Sequence, residues 1–185
     1  VEKELKAKER IILLEIARRA IEGYVRTGKT PGVEPREEKA LNVRSGCFVT
    51  IKQGGQLRGC IGNFQSEHPL FQDVAQMAVA SATKDPRFYP IKMEDLNNFT
   101  LEISVLSPLT KIENFEEIEV GKHGIYLEKG YYRGVLLPQV AVEHGWDRET
   151  FLRQTCLKAG LPGDSWKAED AEIYIFSAQI FGEKE

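Results

Sequence analysis

A chain of 185 residues can bury roughly 70% of its unfolded surface around one good core, so a single domain over residues 1–185 is expected. Lys and Arg number 25 against 28 Asp and Glu, a formal charge of -3, which removes the cationic excess that generic nucleic-acid binding needs. No run is apolar enough to span a membrane and the opening "VEKELKAKER" has no signal-peptide core, so the expectation is a cytoplasmic chain with neither nucleic acid nor membrane as partner.

Leu13, Ala17, Ala20, Ile21 and Tyr24 recur at helical spacing, which predicts a long amphipathic helix stopping near Thr27-Gly28. The following "TGKTPGVEPREEKALN" has no period and reads as a surface loop, with a turn of helix near Glu37 to Leu41. Two strands, "CFVTIKQ" and "QLRGCI", flank Gly54-Gly55, a dipeptide suited to a tight hairpin. With those glycines as the turn, Gln53 faces Gln56, Ile51 faces Arg58 and Val49 faces Cys60. Arg58 and Cys60 would then share one face, with Leu57 and Ile61 on the other.

Pro69 can open a helix with Leu70, Val74, Met77, Ala78 and Ser81 on one stripe, ended by Asp85-Pro86. The small residues Ala78, Ala80, Ser81 and Ala82 permit close packing. In "FTLEISVL", Leu101, Ile103 and Val105 alternate with Thr100, Glu102 and Ser104, a strand carrying a carboxylate at its centre. "GKHGIYLEKGYYRGVLLP" reads as a hairpin turning at Lys129-Gly130 and entered through the loop of His123. Asp147 is placed to cap a helix over 148–159 that Gly160 ends, and "AEIYIFSAQIF" reads as one β-branched and aromatic strand. Frequent hairpins without regular helix-strand alternation predict an α+β fold, mainly antiparallel sheet flanked by helices.

Cys47, Cys60 and Cys156 are odd in number and form no CxxC pair, so they are expected as reduced thiols, with no disulfide framework and no metal site. No P-loop or dinucleotide fingerprint points to a cofactor.

"LRGCIG" over 57–62, followed in order by "DPRFYP", "LEISVLSP", "GKHGIYL", "LLPQVAVEHGWDRETFLRQTCLKAGL" and Trp166, resembles the AMMECR family along nearly the whole chain. The resemblance implies an α+β fold with a smaller lobe and a cleft near the signature hairpin. It also implies a pathway shared with a radical-SAM protein and a Memo-like protein, and it implies no settled activity.

Two readings of Cys60 stand side by side: a small buried hydrophobe, or a nucleophilic thiolate stabilised by Arg58, since a neighbouring cation lowers a thiol's usual pKa of about 8.5. Arg58 is either a solvated strand residue or an anion anchor, with Gly59 and Gly62 giving a ligand close access or simply bending the strand. His123 matches the family's G-x-H-G pattern and is the candidate acid/base group. Glu102 is the candidate orienter of His123 or partner of Arg58, or else an exposed strand residue. Asp85 and Arg87 either hold a helix-stop turn by their own ion pair or line the cleft. The functional expectation is a thiol-dependent enzyme or enzyme component acting on a small anionic metabolite. The alternative is a non-catalytic module that binds a metabolite or a partner protein with the same residues.

Overall fold

In the computed structural model, which describes residues 4–183, the apolar stripe of the N-terminal segment forms helix α1, Ala7–Thr27. It buries Leu13, Ile16, Ala17, Ala20 and Ile21 and ends at Gly28, whose φ of 73° and amide bond to the Tyr24 carbonyl close the last turn. A single 3-10 turn, Lys39–Leu41, interrupts the loop that follows. Strands β1, Cys47–Gln53, and β2, Gln56–Asn63, form the expected hairpin, with Gly54 and Gly55 at φ 57° and 73°.

Helix α2, Leu70–Thr83, strand β3, Thr100–Leu106, and the final strand β8, Ala178–Gly182, complete this part of the chain. The strand order is β2-β1-β3-β8. Alternation along β1 and β3 sends Cys47, Val49, Ile51, Leu101, Ile103 and Val105 into one core. There α2 packs on β1 and β2, and α1 packs on α2 and β3.

The predicted hairpin register holds only beside the turn. Gln53 pairs with Gln56 and Lys52 with Leu57, but Ile51 then pairs with Gly59, Thr50 with Cys60 and Val49 with Ile61. Arg58 is an extra residue in a β-bulge, so Ile51 does not face Arg58 and Val49 does not face Cys60. Past the bulge Cys60 lies opposite Thr50, one row from the core-facing Val49 and Ile61 pair.

The second compact unit is Ser107–Ala178. Strands β4, Thr110–Ile112, β5, Gly124–Lys129, β6, Tyr132–Leu136, and β7, Glu172–Phe176, form an antiparallel sheet in the order β4-β7-β5-β6. Helices α3, Pro138–Glu143, and α4, Arg148–Lys158, supply its core with Ala141, Phe151 and Leu152 against Ile112, Ile118 and Ile125. As its sequence position predicts, Asp147 caps α4, accepting the Thr150 amide at 2.8 Å.

Two expectations need correction. Lys129 pairs with Tyr132, so the β5-β6 turn is Gly130-Tyr131, one residue later than predicted, with the glycine at the first turn position where φ is 58°. "AEIYIFSAQIF" is not one strand: it breaks at Ser177, giving β7 to one sheet and β8 to the other. Ser177 donates its amide to the Ser107 hydroxyl at 2.8 Å and accepts the Ser107 amide at 2.8 Å, a local exchange that ends the β7 ladder. The α+β class itself is the one found.

Candidate functional site

The signature stretch sits on an edge strand, and its irregular path has local causes. The Ser81 hydroxyl, from the last turns of α2, enters the β1-β2 ladder. It donates to the Val49 carbonyl at 2.7 Å and accepts the Ile61 amide at 2.8 Å, standing between two groups that would otherwise pair directly. Gly59 makes this approach possible, because a β-carbon there would overlap the Ser81 carbonyl oxygen. At Gly62 a β-carbon would overlap the Cys47 carbonyl and the Phe48 ring, and that ring makes an edge contact with Phe64 at 5.1 Å. At both glycines the space of the missing side chain is therefore filled by the protein itself.

One residue along from Gly59, the amide of Cys60 donates to Asp85 Oδ2 at 2.9 Å. The same carboxylate receives Arg87 through its amide (3.1 Å), Nε (3.0 Å) and Nη2 (2.8 Å). The Asp85 side chain is 2% exposed and that of Arg87 56%. The Arg87 fork first, and the Cys60 and Arg87 amides after it, hold the Asp85 carboxyl well below the usual carboxylate range despite its burial. Arg87 is raised in turn, chiefly by Asp85, and the Cys60 sulfur adds to its electrostatic surroundings.

The thiol of Cys60 is half-buried and accepts the Thr50 hydroxyl at 3.3 Å. The other two thiols are fully buried, on a strand and on a helix as the sequence predicts. Burial pushes the Cys47 thiol well up, aided by Asp73, whose Oδ2 accepts the Cys47 S–H at 3.3 Å. Burial also raises Cys156.

Arg58 stands apart from this network. Its side chain is 18% exposed, and its nearest carboxylate oxygen, Asp95 Oδ2, lies 4.0 Å from Nη2. That is beyond hydrogen-bond range, and the guanidinium donates no hydrogen bond among the described residues. Glu102 is one third exposed and bonded to Lys52 Nζ at 2.9 Å, so it is occupied by neither Arg58 nor His123. It lies opposite Thr50 on β1, as Cys60 does from the other side, so the three share one cross-strand row.

His123 lies in the second unit, before β5. Its Nδ1 accepts the Glu119 amide at 3.1 Å and its own amide donates to the Glu119 carbonyl at 2.9 Å, so the ring pins a turn and its free proton sits on Nε2. His144, at the end of α3, stacks on Trp146 with ring centroids 4.6 Å apart. In the first unit a cavity of about 370 Å³ opens beside the hairpin turn, lined by Lys52, Gly54, Gly55, Phe99 and Thr100 among others; Arg58 and Cys60 do not line it. Among the described residues no group of three or more His, Cys, Asp or Glu side chains is placed to hold a metal ion.

The structure thus brings Cys60, Asp85 and Arg87 together, gives Glu102 to Lys52, and joins Arg58 to none of them by a hydrogen bond. Thr50, Ser81 and Asp95 were not identified from sequence as site residues. The small-residue run around Ser81 signals close packing but not a hydroxyl that serves two strands. Nothing local marks Thr50 or Asp95.

No helix among the described residues is long and apolar enough to cross a membrane. The AMMECR1 family model matches residues 14–181. Protein PF1979 of Pyrococcus furiosus is 46% identical over 93% of this chain and 87% of its own length. Protein MJ0810 of Methanocaldococcus jannaschii is 43% identical over 98% and 93%. A crystal structure of the uncharacterized protein PH0010 from Pyrococcus horikoshii, 45% identical, matches with a TM-score of 0.81 over 93% of this chain and 90% of that one. Matched from the middle of its first helix to its last strand, with relatives at this identity along almost their full length, the chain belongs to the AMMECR1 family.

Proposed function

We propose that this AMMECR1-family chain is a thiol-dependent enzyme, or the thiol-bearing component of one, that acts on a small anionic metabolite. Cys60 is the nucleophile and Arg58 the anion anchor, in a cleft formed at the signature. The observation that carries the reading is the state of Arg58: four fifths of its side chain is buried, yet among the described residues its guanidinium has no hydrogen-bonded partner. The Arg58 nitrogens are not among the buried polar atoms that lack a partner, so the fork is open to solvent, and a guanidinium with its fork open is suited to a carboxylate or phosphate. Two residues away, Cys60 is the half-buried thiol of the three and carries a hydroxyl donor on its sulfur. Glu102 and His123 have their own partners, and the reading does not depend on them.

The wider setting is one domain spanning both units and a cytoplasmic location, which rest on length and composition, and a pathway with radical-SAM and Memo-like proteins, which rests on the family resemblance. A second reading, a non-catalytic binding module, is favoured by one observation. Among the described residues the only hydrogen-bond partner on the Cys60 sulfur is the Thr50 hydroxyl, which is no general base at neutral pH.

Limited alkylation followed by peptide mapping tests the choice. Cys60 is expected to react in the native protein well before Cys47 and Cys156. Inorganic phosphate or a short dicarboxylate should slow that reaction in the native chain and not in Arg58→Gln. A Cys60 that reacts only on unfolding overturns the enzyme reading in favour of the module. Equal alkylation with and without the anions removes the anchor.

A further inference from the structure

We infer that Asp85 and Arg87 are positioning residues for Cys60: Asp85 holds the edge strand at the Cys60 amide, and Arg87 holds Asp85 through the same carboxylate oxygen, which brings its positive charge next to the Cys60 backbone. The inference deepens the reading of Cys60 as a nucleophile and rests on it for its functional meaning.

A carboxylate has about four lone-pair sites, and Asp85 receives four N–H groups, those of Cys60 N and of Arg87 N, Nε and Nη2. With its side chain 2% exposed, Asp85 has neither the capacity nor the access to bind a ligand. Its partners are a backbone amide of the signature and a guanidinium that lies near the Phe88 ring, 5.4 Å from the ring centroid. Pro86 between them fixes the backbone so that the aspartate and arginine, two residues apart, close on each other. The outward amide of an edge strand is ordinarily open to water or to another chain; here it is tied down at the residue whose side chain bears the thiol. With the backbone held at Asp85 and the next amide held by Ser81, the Cys60 sulfur is kept at the Thr50 hydroxyl.

The test combines iodoacetamide alkylation of Cys60 with amide hydrogen exchange in the full chain. Arg87→Gln leaves the Asp85 charge uncompensated and should slow Cys60 alkylation at neutral pH roughly three- to tenfold, with Arg87→Lys recovering much of the loss. Asp85→Asn leaves the Arg87 charge uncompensated and should raise the rate. A merely structural pair would move both rates in one direction and would not be rescued by lysine. Asp85→Ala should speed exchange at the Cys60 amide at least tenfold while Cys47 and Cys156 stay protected. Rates that shift together or not at all, or an unchanged Cys60 amide in Asp85→Ala, overturn the inference. Should the Asp85 variants lose protection of Cys47 and Cys156, the Arg87 pair decides. A native Cys60 inert to alkylation defeats the nucleophile reading instead, and the exchange measurement still decides whether Asp85 holds the strand.

Discussion

Both units build a four-stranded sheet from hairpins, but they differ in how strictly the ladders are kept. In the second unit every recorded pairing, β4 with β7, β7 with β5 and β5 with β6, runs without a shift. Two of its glycines serve the core: Gly124 makes room for the Phe176 ring and Gly134 for the backbone of α4 at Thr155. In the first unit the β1-β2 pairing slips at Arg58, a helix hydroxyl enters the ladder, and a buried aspartate takes an outward amide. Departures from regular pairing cost stability unless other contacts offset them, and here they cluster between Arg58 and Ile61, the stretch that carries the candidate anchor and thiol. Irregularity on an edge strand is what a site built into a sheet leads one to expect.

The contrast can be broken first at its most regular point. Phe151 is fully buried in the second unit's core, and Phe151→Ala should cost about 3–5 kcal/mol, read from the denaturant midpoint. If that loss falls below about 1 kcal/mol, the core assigned to this unit is wrong. Gly59→Ala comes next, because its new methyl group meets backbone rather than a flexible side chain. A cost of about 1–3 kcal/mol is expected, with restoration of direct β1-β2 pairing excluded by the unmoved Ser81; a neutral substitution would mean that α2 does not press on the strand.

A third measurement uses pH. The Asp85 carboxyl is depressed in the folded protein, so its contribution is fully present above the ordinary carboxylate value of about 4 and is lost as pH falls from there toward the folded value. The native chain should exceed Asp85→Asn by roughly 1–3 kcal/mol near neutrality, and the gap should close as the solution is acidified below about pH 4. A gap independent of pH would show that the ionised fork is not its source. The smallest effect belongs to the turn of the regular sheet. Tyr131 is fully exposed, and Tyr131→Ser should change stability by no more than about 0.5 kcal/mol, a larger loss revealing a contact that the described residues lack.

Much of this architecture is legible in local sequence. The 3.6-residue period of Leu13, Ala17, Ala20 and Ile21 set α1, and Gly28 set its end. Gly54-Gly55 marked the first hairpin, Asp147 the start of α4, and alternation the buried face of β3. Cys47 and Cys156 could be read as buried from the elements that carry them. The site was legible in membership more than in wiring. "LRGC" and "DPRF" were both singled out, but the cation tied into the Cys60 network proved to be Arg87 rather than Arg58.

What the sequence determined by itself is whatever depends on neighbours a few residues apart: helix periods, caps, positive-φ turns and strand alternation, all set by local sterics and by which face is apolar. What only the tertiary structure decided depends on groups brought together from far along the chain. The Arg58 bulge goes with a hydroxyl from residue 81, the Cys60 amide needs a carboxylate from residue 85, and "AEIYIFSAQIF" is divided because its two halves find hydrogen-bonding edges in different sheets. Both sides of Ser177 form strands; the partner strands differ, and a ladder is a property of pairs.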